Sequence, residues 1–176
     1  MWVILFRNML SVEITMYMPT FLQQRGAALW LAGGALSILE AAGVAGALFS
    51  GPLSDRWGRK PVLTAAIGSA GVFMFFFLRV NGWLMFPLLL CLGFSMLSTQ
   101  PVFLAVVQDH FPNHRSVANG LYMSLAFLLR SIALFLVGYL GDHLGLERTY
   151  LLGAGLGLLA LPAIWLLPNE QTVTRE

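Results

Sequence analysis

The sequence predicts an all-α integral membrane protein with six transmembrane helices. Of its 176 residues, 58% are hydrophobic and only 10% are charged, whereas soluble domains carry about 25% charged residues. The hydrophobic residues form long runs, and a bilayer core needs about 20 apolar residues per helix. The polar stretches between the runs are short and leave no room for a soluble domain. Residues 1–176 are therefore expected to form a single six-helix membrane domain.

Six segments reach the length that spans a bilayer. They are residues 2–22, 29–50, 61–79, 83–107, 117–140 and 149–167. The connections between them are short, and a polar tail follows from Pro168. Met1 runs almost directly into apolar sequence, with no basic leader and no clear cleavage site. A removable signal peptide is therefore not predicted.

Charge, cysteine and histidine content exclude several functional classes. Ten basic residues against eight acidic ones give a formal net charge of +2, and their spread over several loops indicates topology rather than nucleic-acid binding. Cys91 is the single cysteine, so no disulfide or thiolate metal site is possible within one chain. His110 and His114 flank Pro112 in a loop, so no metal site is predicted. A phosphate-binding loop, an H-E-x-x-H motif and a nucleophile elbow are all absent from the sequence, and an enzyme is not expected.

The densest charge in the chain lies between the second and third spans. This connection reads Gly51-Pro52-Leu53-Ser54-Asp55-Arg56-Trp57-Gly58-Arg59-Lys60-Pro61. Gly51 is expected to allow a tight exit from the second span, and Gly58 a second sharp turn. Asp55 is a short acceptor that suits a helix start, and Pro61 fits the first turn of the third span. Three cations between two spans mark a cytoplasmic loop.

This connection resembles the signature loop of the major facilitator superfamily, G-x-L-[small]-D-R-x-G-R-[RK]. All eight defined positions are matched, by Gly51, Leu53, Ser54, Asp55, Arg56, Gly58, Arg59 and Lys60. The alternative is an ordinary basic loop that only sets topology. The resemblance implies a transporter that needs no cofactor and uses a proton gradient. It also implies that the loop takes part in gating between two halves through Gly51, Asp55, Arg56, Gly58, Arg59 and Lys60.

A second stretch echoes the signature after the fifth span. Gly138–Gly145 carries Gly, Leu, Asp and Gly in register with Gly51–Gly58. The two copies follow the second and fifth spans, so they are expected on opposite sides of the membrane. This pattern predicts a three-plus-three inverted repeat, which occurs within each six-helix half of the superfamily. Coincidence of four matched positions is the alternative.

Polar residues are unevenly distributed among the spans. From Pro61 to Leu78 and from Thr149 to Leu167, the third and sixth spans contain no charged residue, Asn or Gln, so both are expected to be lipid-facing supports. A charge in lipid costs at least about 2.5–3.5 kcal/mol, so the polar groups of the other four spans should face a bundle interior or water. The predicted substrate or proton pathway comprises Arg7, Glu13, Glu40, Gln100, Asn119 and Arg130.

Three of these residues admit two interpretations each. Arg130 lies too deep in the fifth span to reach either surface. It is either a cavity cation that holds an anionic substrate or pairs with a carboxylate, or one partner of a structural ion pair with Glu13 or Glu40. Glu40 is either a proton-carrying carboxylate or a neutral packing group. Arg7 lies near the cytoplasmic end of its span, where reaching the lipid headgroups is favoured over a pathway role.

The basic residues predict the orientation of the chain. With the signature loop inside, the cytoplasmic side holds Arg56, Arg59, Lys60, Arg115 and Arg175. The other side holds Arg25, Arg79 and Arg148. This bias has the sign that the positive-inside rule requires. Both termini are then cytoplasmic, and a bacterial inner membrane is the expected location.

Superfamily members normally have two six-helix halves, and this chain has one. The chain enters its first span without a cytoplasmic leader and ends in a short tail, and both features favour the C-terminal half. Residues 108–121 also resemble the loop and helix start before the eleventh helix of fosmidomycin-resistance-type drug exporters. The resemblance implies proton-coupled export of a small organic molecule through a lipid bilayer, with a second six-helix half as the partner. The alternatives are a half-size transporter that acts as a homodimer, and a non-transporting remnant or membrane assembly subunit.

Overall fold

The computed structural model describes residues 2–80, 82–159 and 161–162, and nearly all of these residues are helical. A π-helical segment, Glu13–Tyr17, and two 3₁₀ turns, Gly82–Leu84 and Pro112–His114, lie between the α-helices. The α-helices of the described residues are α1 (Trp2–Val12), α2 (Met18–Gln24), α3 (Leu29–Trp57), α4 (Arg59–Arg79), α5 (Met85–Leu97), α6 (Thr99–His110), α7 (Arg115–Leu144) and α8 (Leu146–Leu159). The predicted all-α class is confirmed for this part of the chain.

Four helical stretches within the described ranges are long and apolar enough to cross a membrane. They are Leu29–Trp57, Arg59–Arg79, Gly82–His110 and Arg115–Leu144. These stretches correspond to the second to fifth predicted spans. The first predicted span is divided among α1, the π segment and α2, and the sixth begins with α8. Residue 160 and residues from 163 onward, including the polar tail, lie outside the described residues, so six spans and an inverted repeat stay predictions.

Two connections are shorter than the sequence predicted, because α3 and α7 continue through their glycines. α3 passes Gly51 and ends at Trp57, so the tight exit expected at Gly51 is wrong. The chain instead turns at Gly58, with φ of +89°, and α4 follows at once. A left-handed φ is open to glycine without steric cost, so the turn predicted at Gly58 is confirmed. α7 likewise ends before a single glycine, Gly145, with φ of +84°.

A close crossing of α3 and α5 organises the packing. A Cβ atom at Gly93 would overlap the carbonyl oxygen of Leu39, and one at Gly46 would overlap the carbonyl oxygen of Phe94. Only glycine at these two positions lets the backbones approach so closely. The main hydrophobic core extends from this crossing to α1, α4 and α8 and includes Leu10, Ile14, Met74, Phe77, Leu89 and Tyr150.

The α3 and α7 helices each leave a broad apolar face uncovered. Leu48 and Phe49 on α3 are 71% and 66% exposed, and Phe135 on α7 is 72% exposed. By contrast, α4 buries one face that includes Leu63 and Phe77. The second and fifth spans therefore present the open apolar surfaces of the described bundle.

Candidate functional site

Two helices are interrupted near their middles, and buried polar side chains collect at both interruptions. The π segment begins at Glu13 between α1 and α2, and Ser98 separates α5 from α6. The hydroxyl of Ser98 donates to the carbonyl oxygen of Ser95 at 2.7 Å, and that of Thr15 donates to the carbonyl oxygen of Ser11 at 2.7 Å. Irregular backbone at membrane depth is tolerated where it is buried in protein and satisfied by such groups. Interrupted helices frequently mark functional positions.

Arg7 lies at the centre of a group of polar contacts between α1 and α6. The sequence favoured a position at the lipid headgroups, but the side chain is buried in the protein. It is 5% exposed, and its Nε donates to Thr99 Oγ1 at 2.7 Å. One Nη donates to Gln100 Oε1 at 3.1 Å, and the guanidinium lies over the Phe103 ring, 5.8 Å from its centroid. The expectation was wrong because Thr99 and Gln100 on α6 offer acceptors within reach of the Arg7 side chain. Sequence position along one helix does not show what the facing helix supplies.

Arg130 lies near Arg7 on the facing side of α7. It is half-buried, and its charge is within electrostatic range of the Arg7 guanidinium. Asn8 ties α1 to this part of α7, because its Nδ2 donates to the carbonyl oxygen of Ala126 at 3.3 Å. No carboxylate of the described residues forms an ion pair with Arg130. The second interpretation of Arg130, a structural pair with Glu13 or Glu40, therefore finds no support in this part of the chain.

Glu13 is separated from both arginines. Its carboxyl is completely buried, and neither oxygen has a hydrogen-bond partner among the described residues. The carboxyl lies against Gly153 on α8, where an added Cβ atom would overlap it. The hydroxyl of Tyr150 donates to the main-chain oxygen of Glu13 at 2.6 Å. We expected Glu13 to face the interior lined by the first, second, fourth and fifth spans, but its neighbour is the sixth.

The remaining predicted pathway residues are not gathered at one point. Gln100 is exposed and joins the cluster through Arg7. Glu40 is exposed on α3 and forms no ion pair with the described residues. Asn119 lies in the second turn of α7, with its Oδ1 atom buried and without a hydrogen-bond partner in the described part of the chain. The structure thus joins Gln100 to Arg7, places Arg130 within electrostatic range of Arg7, and leaves Glu13, Glu40 and Asn119 apart.

The signature loop forms a network of charges at one end of the bundle. Arg59 Nη1 contacts Asp55 Oδ1 at 2.5 Å and donates to Ser54 Oγ at 2.6 Å. Its Nε donates to Asp109 Oδ2 at 3.1 Å. Asp55 and Arg59 thus pair across the turn at Gly58. Asp55 accepts from this arginine and does not cap a helix start as expected, because α3 continues beyond it.

Asp109 is the residue of this network that sequence reasoning missed. It lies at the end of α6, 50 residues after Arg59, so no local spacing connects the two. The sequence shows only that Asp109 belongs to the polar segment after the fourth predicted span. Through Arg59, the network fastens the end of α6 to the turn between α3 and α4.

An open pocket of about 1090 Å³ lies at the other end of α3. Its lining is mostly apolar, and Trp30, Trp83 and Arg25 contribute to it. None of the predicted pathway residues lines this pocket. Within the described residues, no group of three or more His, Cys, Asp or Glu side chains is placed to hold a metal ion.

Comparison with known proteins gave matches over most of the chain. The family model described as Major Facilitator Superfamily matches residues 1–134. The fosmidomycin resistance protein of Escherichia coli (strain K12) is 27% identical over 126 residues, which are 72% of this chain and 31% of that protein. The uncharacterized MFS-type transporter YfnC of Bacillus subtilis (strain 168) is 28% identical over 129 residues, 73% of this chain and 31% of that protein. The matched part of the chain thus spans less than a third of these relatives, and no solved structure matches it.

Proposed function

Because this chain belongs to the Major Facilitator Superfamily, we propose that it is one half of a secondary active transporter that exports a small organic molecule in exchange for protons. The observation that carries the proposal is the signature loop, in which Arg59 links Asp55 to Asp109 across three helices. A charge network of this kind can hold one end of a bundle closed and release it when a partner half moves. The relative named as a fosmidomycin resistance protein supports export.

The proposed mechanism is rocking of two halves about a site near the membrane midplane. On this chain, the cluster of Arg7, Gln100 and Arg130 would bind the substrate. Two neighbouring cations without a described carboxylate partner favour a substrate that carries an acidic group, because such a group would relieve their repulsion. Glu13 and Glu40 are the proposed proton carriers, and Asn119 would line the pathway.

The proposed partner is a second six-helix half. The matched segment covers only 31% of its relatives. The α3 and α7 helices have uncovered faces, and α3 also exposes the charged side chain of Glu40, which favours a protein partner over lipid. The chain would be the C-terminal half, in a bacterial inner membrane, with the signature loop and both termini cytoplasmic. A homodimer is the second candidate, since the same two faces could pair in two copies of this chain.

Drug susceptibility tests the proposal directly. The chain would be expressed in an efflux-deficient bacterium, alone and with a matching six-helix half, and the inhibitory concentration of fosmidomycin and of a panel of acidic drugs would be measured. Resistance is expected when the chain is expressed with the partner half. The Arg130→Gln variant, expressed with the same partner and at an unchanged level in the membrane, should lose this resistance. Resistance from the chain alone, with a dimer in crosslinking, would favour the homodimer. No change for any compound with either arrangement would favour the remnant or assembly subunit.

A further inference from the structure

Glu13 occupies a buried pocket against α8. The side chain is 0% exposed, and neither carboxyl oxygen has a hydrogen-bond partner in the described ranges. The carboxyl fills the volume that a Cβ atom at Gly153 would require. The sixth span, which carries no charged residue between residues 149 and 159, therefore supplies the space for a buried acid of the first span.

The groups around this pocket offer no compensating charge. On α8, Tyr150 faces Glu13, but its hydroxyl donates to the main-chain oxygen and not to the carboxyl. On α7, Arg130 faces Arg7, and Arg7 itself is held by α6. In the π segment, the hydroxyl of Tyr17 donates to the carbonyl oxygen of Leu134. Within the described part of the chain, no arginine, lysine or histidine forms an ion pair with Glu13.

We propose that Glu13 and Gly153 form a proton-binding site between the first and sixth spans, in which Glu13 is protonated in this conformation. A lone carboxylate in an apolar pocket is far more costly than the neutral acid. When the acid releases its proton to water, the charged side chain must therefore leave the pocket. The inference rests on the proposed proton coupling, although proton binding can be measured without transport.

The π segment supplies the means for this movement. It begins at Glu13 itself, and its i→i+5 hydrogen bonds differ in register from those of α1 and α2. A change between π and α register turns the residues of the segment to another face without unfolding the span. Tyr150 holds the main-chain oxygen at the start of this segment. The sixth span thus contacts both the carboxyl and the backbone element that would move it.

Infrared spectroscopy of the full chain in lipid nanodiscs tests the protonation state. At neutral pH, the wild-type chain is expected to show the carbonyl stretch of a protonated carboxylic acid, and Glu13→Gln is expected to lose it. Gly153→Ala should also abolish or shift this band, because the new methyl group expels the carboxyl. Gly155→Ala is the matched control on the same helix, since a Cβ atom there meets nothing within 4 Å. A wild-type chain without the band, or a band that survives Glu13→Gln, would overturn the proposal.

A double-mutant cycle tests the contact even if Gly153→Ala folds poorly. Gly153→Ala should lower the unfolding temperature in the wild-type background and much less in a Glu13→Ala background, because the overlapping carboxyl is then gone. Gly155→Ala should not couple to Glu13→Ala. Equal losses in both backgrounds would reject the shared pocket. If the band is present and transport never appears, the proposed function fails while the proton site stands. If transport occurs without the band, the proton site fails while the proposed function stands.

Discussion

Arg7 shows how a buried cation can be held by neutral groups. Its guanidinium donates to Thr99 and Gln100 and lies over Phe103, with no carboxylate among the described residues in an ion pair with it. Neutral oxygens satisfy the donors of the guanidinium but do not cancel its charge. A buried charge of this kind can attract an anion, because its own neighbours leave it uncompensated.

Replacement of Arg7 by lysine should weaken the contact between α1 and α6. The ammonium keeps the charge but cannot reach Thr99 and Gln100 with the fork geometry of the guanidinium. Each hydrogen bond to a charged group is worth roughly 1.5–3 kcal/mol, so a loss of about 1–3 kcal/mol in the free energy of unfolding is expected in detergent. Gln23→Ala is the control, because that side chain is exposed on α2. An unchanged unfolding midpoint for Arg7→Lys would show that the contact contributes nothing.

Asp55→Asn should separate gating from folding. Asp55 is 63% exposed and Arg59 keeps its second partner, Asp109, so the stability cost should be under about 1 kcal/mol. Transport by the chain with its partner half should fall severely, since the amide keeps the size of the side chain and loses its charge. Membrane insertion and transport would both be measured. Full transport by Asp55→Asn, together with inverted orientation when Arg56, Arg59 and Lys60 are neutralised, would mean that the loop only sets topology.

Sequence spacing predicted local pairs and missed distant ones. Asp55 and Arg59 are only four residues apart, one on each side of the turn at Gly58, so their contact is local. Asp109 and Thr99 meet their arginines from across the bundle, and no periodicity in one segment encodes that meeting. Gly153 was missed for the same reason, since its role depends on a carboxyl 140 residues earlier in the chain.

At the scale of elements, the spans were predictable from hydropathy but their ends and interruptions were not. The sequence placed the second span's end at residue 50, because the apolar run stops there and Gly51 allows a tight exit. α3 continues past it to Trp57, and the hydroxyls of Ser50 and Ser54 are satisfied by the carbonyl oxygens of Ala47 and Gly51. The cluster of charges therefore predicted the region of the turn correctly, but the turn itself consists of Gly58 alone.

Alanine substitutions at Gly58 and Gly51 should have opposite effects. Gly58 has φ of +89°, and its nearest neighbour for an added Cβ atom is Pro61 Cδ at an ordinary 3.6 Å. The cost of Gly58→Ala is therefore conformational, about 1 kcal/mol or more. Gly51 is inside α3 with open space around it, so Gly51→Ala should stabilise by roughly 0.5–1 kcal/mol. Thermal unfolding of both variants in one detergent checks this, and the same sign for both would contradict the turn geometry.

At the scale of the whole molecule, α3 and α7 have similar lengths and end in the same kind of turn. They are 29 and 30 residues long, and each ends one residue before a glycine of positive φ. Gly58 and Gly145 are also the matching last glycines of the two signature-like stretches. An inverted repeat would place these two turns on opposite membrane surfaces.

Cysteine labelling tests that placement. Trp57→Cys and His143→Cys, both in a Cys91→Ala background, replace exposed residues at the ends of α3 and α7. A membrane-impermeant maleimide should label the first in inverted vesicles and the second in right-side-out vesicles, with the cationic loop cytoplasmic. Labelling of both positions from one side would reject the inverted repeat.

The uncovered faces of α3 and α7 lead to the last prediction. Phe49 and Leu48 on α3 and Phe127 and Phe135 on α7 are more than half exposed, and the cluster around Arg7 and Arg130 has no facing half. Co-expression with a matching six-helix half should therefore raise the unfolding temperature in detergent, because the second half packs on these faces and binds only the folded chain. Leu48→Ser with Phe135→Ser should abolish the gain, whereas Trp83→Ser, an exposed residue outside α3 and α7, should preserve it. Equal stability with and without the second half, with a dimeric mass in both samples, would instead assign these faces to a second copy of this chain.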